Sequence, residues 1–207
     1  MMKVIIAVLA TLTVVSSAWE EPAFCKGLNC PVFETVYSDP EANVTYRVYE
    51  GALWASTNIT SISYEDAVNE GFNRLFDYIS GANEGNVKID MTTPVDTKVL
   101  AGPGPFCEST FVVSFYVPYI YQDDANPPPE PTNPDVYIQY FPQSKKAQYG
   151  FDGYAFSFKK WIEPTQYLFN YLVAQGESFE SEFYYTNGYD SPFAIFSRHN
   201  EVWVDLL

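Results

Sequence analysis

Ser63-Tyr64-Glu65-Asp66-Ala67-Val68-Asn69-Glu70-Gly71-Phe72-Asn73-Arg74-Leu75-Phe76-Asp77-Tyr78-Ile79-Ser80-Gly81 is the stretch on which the reading of the fold turns. Ala67, Val68, Phe72, Leu75, Phe76 and Ile79 recur at three- and four-residue spacing and form one apolar face, which predicts a helix over 64–80. Ser63 is its N-cap, Glu65 and Asp66 sit in the first turn where the helix dipole favours negative charge, and Gly81 is its stop. A one-faced helix needs an apolar surface to lie on, and the preceding chain offers a sheet. Residues 32–38 and 44–58 alternate apolar and polar side chains as strands do. Val44, Tyr46 and Val48 fall on one side, and Thr45, Arg47 and Tyr49 on the other. Leu53 to Thr57 continues as a further strand after a break at Gly51.

Downstream the pattern repeats. Val87 to Leu100 is strand-like, Gly102-Pro103-Gly104-Pro105 is a tight connection, and Phe111 to Tyr121 is a β-branched and aromatic strand. Pro127-Pro128-Pro129-Glu130-Pro131 is an extended exposed loop. Val136 to Tyr140 and Lys146 to Tyr154 are strands, and a second helix runs from about Phe158 to Gln175. Its apolar face is Trp161, Leu168, Phe169, Leu172 and Val173; Pro164 kinks it or lies near its start, and Gly176 ends it. Tyr184 to Thr186, Phe193 to Ser197 and Val202 to Leu206 are the last strands. Each helix is preceded by two strands and followed by a strand and a Pro-containing turn. The expected class is therefore α+β: a curved antiparallel sheet with two helices, built from two pseudo-repeated halves.

The ends and the composition bound the setting. Lys3, the apolar run Val4 to Val15 and the small residues Ser16, Ser17 and Ala18 read as a signal peptide over 1–18. The run is shorter than the roughly 20 residues of a spanning helix. Residues 19–32 are a Cys-containing lead-in, and 33–207 are one domain. A formal charge of −15 argues against nucleic acid and against anionic membrane as partners. Aromatics make up 18% of the chain, enough to build a core and to line an apolar pocket. Cys25, Cys30 and Cys107 are expected to be oxidised in an exported chain: Cys25 and Cys30 can close a small loop, and either can pair with Cys107. Asn43-Val44-Thr45 and Asn58-Ile59-Thr60 are glycosylation acceptors in such a chain.

Catalytic groups are scarce. His199 is the one histidine, and it reads as a surface residue of a polar segment. No Gly-rich phosphate loop joins a strand to a helix, and Asp90, Asp96 and Asp152 read as solvated or turn residues. The expectation is a binding protein without a catalytic cofactor.

Ordered motifs sharpen this. Tyr46-Arg47-Val48-Tyr49-Glu50 before Trp54-Ala55-Ser56-Thr57, then Gly71 to Glu84, then Lys88-Ile89-Asp90-Met91-Thr92-Thr93-Pro94-Val95, resemble the SOUL or haem-binding protein family. Gly102 to Ser109, Val113 to Pro118, Tyr184 to Pro192 and Asn200 to Trp203 follow in the same order, so the resemblance spans roughly Phe33 to Asp205. It implies a distorted antiparallel β-barrel or curved sheet with two helices. It also implies haem or another tetrapyrrole held in a shallow apolar cleft beside the first helix. The matching segment offers Phe72, Leu75, Phe76 and Ile79 on the helix and Met91 facing them from a strand, with Arg74 or Lys88 to meet a propionate. Val48 stands where one type of family member carries a His, and Asp77 where another carries a Lys. The expected function is a secreted tetrapyrrole carrier or scavenger. The rivals are an extracellular interaction protein that keeps the fold without the ligand, and a hydrolase, which requires a buried carboxylate beside a polar partner.

Overall fold

The computed structural model describes residues 19–102, 104, 107–191 and 198–207. The signal peptide read over 1–18, Pro103 and Pro105 of the tight connection, Pro192, and the strand expected at Phe193 to Ser197 lie outside the described residues. Strands β1 (Phe33–Asp39), β2 (Val44–Tyr49) and β3 (Ala52–Ser61) lead into α1 (Tyr64–Ile79), which is followed by β4 (Val95–Leu100) and β5 (Ser109–Tyr116). Strands β6 (Val136–Phe141) and β7 (Ser144–Asp152) lead into α2 (Lys159–Gln175), and β8 (Phe183–Gly188) and β9 (His199–Asp205) complete the order.

The nine strands form one antiparallel sheet in the order β1-β2-β7-β9-β8-β4-β5-β3-β6. The order is a palindrome of two units. Strand β3 pairs β5, which pairs β4; strand β7 pairs β9, which pairs β8; and β4 joins β8 at the centre. Each half lends its leading strand to the other: β2 lies against β7, and β6 against β3. The two pseudo-repeated halves are thus interlocked, and the sheet curls into a half-barrel whose end strands are β1 and β6.

Both helices cover one face of this sheet. Ala67, Leu75, Tyr78 and Ile79 of α1 and Trp161, Leu168 and Leu172 of α2 share a core with Val44, Ala55, Ile59, Val99, Phe111, Val113, Phe115, Ala147, Val202 and Val204. Full burial of such a side chain contributes about 1.5–3 kcal/mol. Gly71 sets how closely α1 approaches: a methyl group there would lie 2.5 Å from Val113 Cγ2, so any larger residue forces the helix off β5. Ser63 Oγ accepts from Asp66 N at 3.1 Å, as an N-cap does. Gly81 (φ +122°) and Gly176 (φ +72°) take the positive-φ conformations that end the two helices.

Some sequence expectations change. Residues 87–94 are irregular, so the strand expected from Val87 begins only at Val95. Their polar groups are spent elsewhere: Ile89 N donates to Ile79 O, Thr93 N to Asn29 O, Thr92 Oγ1 to Tyr116 O and Thr93 Oγ1 to Tyr189 O. The strand expected to reach Tyr121 ends at Tyr116, and Pro118 opens a 3-10 turn over Tyr119–Tyr121. Phe76 (47% exposed) and Val173 (68% exposed) are not core. Each follows a buried leucine, and one residue turns a helix by about 100°, which carries the next side chain off the packed face. Pro164 lies inside α2, in its second turn. The lead-in is more than polar connection. Cys25 and Cys30 form a buried disulfide, which leaves Cys107 free and exposed. With Trp19 and Phe24, the disulfide packs on Phe33, Tyr49, Tyr185, Tyr189 and Trp203.

Candidate functional site

A strand shows alternate side chains to opposite faces, so the central pair β4·β8 builds two different surfaces. On the helix side, Val95, Thr97, Thr186 and Gly188 floor a cleft of about 400 Å³. Tyr64, Val68 and Phe72 of α1 wall it on one side, and Ala155, Phe156 and Trp161 wall it on the other. Glu65, Asn69, Asp190, Arg198 and Asn200 add polar groups. The volume lies within the range of small-molecule sites, roughly 300–1,000 Å³. Several lining groups are fixed. Trp161 Nε1 donates to Ala155 O at 2.9 Å, and Tyr64 and Thr186 share a hydroxyl hydrogen bond of 2.8 Å. Burial pushes the Tyr64 phenol up, so it stays protonated. The Arg198 guanidinium stacks on Tyr154 and Phe156 at 4.9 and 4.8 Å and donates to Ser191 O and Asp190 O.

The residues read from sequence are dispersed around this cleft. Phe72 lines it. Phe76 stacks on Phe72 at 5.7 Å and is otherwise exposed. Leu75 and Ile79 are buried in the core beneath α1, and Met91, now in the irregular segment rather than a strand, packs against that core. Arg74 is engaged with Glu70 at 2.5 Å, Asp135 at 3.5 Å and Thr57 at 3.2 Å. Lys88 is exposed, and so are Asp77, Asn43 and Asn58; Val48 is half-buried in β2. The second wall and Arg198 were missed. The repeat held the signal for them, because two halves that meet at a central strand pair bring both helices to one seam.

The opposite face of the sheet is unexpectedly polar. Glu201 in β9 is buried and accepts from Arg47 Nη1 at 3.0 Å and Nη2 at 2.9 Å, from Tyr189 at 2.8 Å and from Trp203 Nε1 at 2.7 Å. His199 Nε2 bonds Glu201 Oε1, the oxygen that also takes Arg47 Nη2, at 2.9 Å, and the imidazole stacks on Phe24 at 4.7 Å. The surface reading of His199 is therefore corrected: its Nε2 is engaged by Glu201 and its ring packs on Phe24 and Tyr189, which leaves the side chain half-buried. Burial alone would raise the Glu201 carboxyl, but Arg47 and His199 hold it well below the usual carboxylate range. Asp96 in β4 is also corrected. It is not solvated but 3% exposed, and burial pushes its carboxyl up to about 8.

Comparison with known proteins agrees with the motif reading. The family model described as SOUL heme-binding protein matches residues 28–205. Human heme-binding protein 2 is 40% identical over 158 residues, covering 76% of this chain and 75% of that protein. Mouse heme-binding protein 2 is 38% identical over 167 residues, 80% of each chain. Xenopus laevis heme-binding protein 1 is 29% identical over 159 residues, 76% of this chain and 80% of that protein. Among solved structures, the EcmrR C-terminal domain superposes with a TM-score of 0.57 at 9% identity, covering 79% of this chain and 96% of that one. A Listeria innocua hydrolase encoded by lin2189 gives 0.52 at 8% identity, covering 80% and 92%. These two likenesses speak to the fold alone. On the extent of the family match and the identity to its relatives, the chain belongs to the SOUL heme-binding protein family.

Proposed function

We propose that this protein is a secreted tetrapyrrole carrier or scavenger that holds haem or a related porphyrin in the cleft between α1 and α2. The observation that carries the reading is the composition of that cleft. Phe72 and Phe156 offer ring surface for a ligand, with the nearly buried Tyr64 and Trp161 also in the lining, and Arg198 offers a cation for a propionate. In a chain of charge −15, such a cation is needed to receive a dianionic ligand. None of the lining residues is a histidine, so ring contact and charge pairing hold the ligand rather than imidazole ligation. The Cys25–Cys30 disulfide and the two exposed sequons support an oxidising, extracellular setting, in keeping with the leader-like run at Val4 to Val15.

Haemin titration of the full chain tests this reading. A saturable Soret shift at micromolar or tighter affinity is expected, weakened at least tenfold by Asn69→Trp, which fills the cleft from an exposed position, and by Phe156→Ala. Binding unchanged by both substitutions would remove the cleft from consideration. Affinity no better than that of an unrelated acidic protein would favour the interaction-protein reading.

A further inference from the structure

Below the sheet, on the face turned away from both helices, lies a second cavity, of about 160 Å³. Its walls are aromatic: Tyr49, Trp54, Phe141, Tyr185 and Trp203 line it, together with Asp96. Asp96 is 3% exposed, and its Oδ1 has no hydrogen-bond partner among the described residues. Its cross-strand neighbour Asn187, fully buried on the same face, has neither amide atom satisfied among the described residues. Orphaned polar atoms cost about 1–3 kcal/mol each unless something meets them, so such a cluster calls for an explanation. The other charges at the cavity are Lys146, Asp205 and Glu50. Lys146 is ion-paired with Asp205 and lies over the Tyr185 ring at 4.2 Å. That pairing satisfies Asp205 and leaves Asp96 and Glu50 without an ion pair among the described residues.

We propose that this cavity is a binding site for a small organic cation of the quaternary-ammonium type, seated among the five aromatic rings with Asp96 as its counter-ion. Aromatic faces attract a desolvated cation, and an apolar cavity of about 150 Å³ holds a guest the size of benzene. The site is separate from the tetrapyrrole cleft, because it lies on the other face of β4·β8. A cation that arrives draws Asp96 into its ionised form and releases its proton. The charged and titratable groups around that carboxyl are Lys98 on its own strand, Lys146 of β7, Asp205 of β9, Tyr185 of β8, Tyr49 of β2 with Glu50 beyond it, and Tyr64 of α1 across the sheet.

Tetramethylammonium is the probe, and tert-butanol is its uncharged analogue of the same shape. Both are titrated into the full chain at about pH 6 and about pH 9, and intrinsic tryptophan fluorescence reports through Trp54 and Trp203. With Asp96 titrating near 8, the ionised fraction rises from about 1% to about 90%, so tetramethylammonium affinity should rise roughly 50- to 100-fold. Tert-butanol should bind at least tenfold more weakly at the higher pH, and Asp96→Asn should abolish the pH dependence. Equal binding of the two probes would show a merely apolar hole. Affinity independent of pH would remove Asp96 from the site, and absence of saturable quenching would leave the cavity to water; each result overturns the proposal. The wild-type comparison of the two probes decides the matter even if Asp96→Asn fails to fold.

Discussion

Glu201→Gln is the sharpest probe of how this fold is held. The substitution keeps the shape of the side chain and one acceptor oxygen, but removes the charge that faces Arg47. Arg47 is 7% exposed, sandwiched against Phe24 and Phe33 at 5.2 and 4.4 Å, and bonded to Tyr49 at 3.3 Å. Without Glu201 it becomes a buried charge with no counter-ion, which costs about 3–5 kcal/mol. For a domain of this size that is a Tm drop of roughly 10 °C and a large part of a total near 5–15 kcal/mol. The loss also depends on pH. Glu201 has a folded pKa well below its unfolded value, so its contribution is fully present above about pH 4.5 and fades as the pH falls further. The gap between wild type and Glu201→Gln should therefore be constant near neutrality and shrink in acid. Thermal melts from about pH 3 to about pH 7, with Arg47→Met and the double variant Arg47→Met/Glu201→Gln, complete the cycle. The double variant should cost less than the sum of the singles by at least about 1 kcal/mol. Strict additivity, or a Glu201→Gln loss under about 1 kcal/mol, would show that the pair does not act as a buried unit.

Other consequences can be checked directly. The Asp96 carboxyl rises from 3.8 to about 8 on folding, so it opposes the folded state increasingly as pH climbs between those values, by at most about 6 kcal/mol. Asp96→Asn should accordingly be the more stable protein at about pH 9 and lose its advantage near pH 4; parallel Tm profiles would contradict the burial argument. Replacing Cys25 and Cys30 by Ser opens a loop of six residues, and loop entropy gives a loss of about 2 kcal/mol, readable as a lower urea midpoint. Because the cleft lining contains no imidazole, iron-free protoporphyrin should bind within about threefold of haemin. A haemin preference above about tenfold, measured by tryptophan quenching, would require an iron ligand in the site.

Local signals carried most of the element list. Ser63, Gly81 and Gly176 mark helix ends through hydrogen-bonding capacity and backbone freedom, which are properties of single residues and their near neighbours. Alternation in Val44 to Tyr49 marked a strand for the same reason. The failures are equally physical. Met91-Thr92-Thr93 has strand-forming residues, but its donors bond to Asn29, Tyr116 and Tyr189, partners remote in sequence. Phe76 and Val173 continue an apolar spacing, and only the direction of helix docking decides that they face outward. Asp96 and His199 looked like surface residues because a single carboxyl or imidazole carries no mark of what will cover it.

By itself, then, the sequence determined the class, the two helices, the repeat and the family, since each rests on short-range pattern or on motifs read in order. Tertiary structure alone decided that β2 and β6 cross to opposite halves, that Cys25 pairs with Cys30, and that the cleft takes Phe72 from one helix and Trp161 from the other. It also decided that Arg47 and Glu201 meet in the interior. The reason is common to all four. They depend on which distant segments share a sheet edge, a helix seam or a buried face, and that is settled by packing the whole chain around one core.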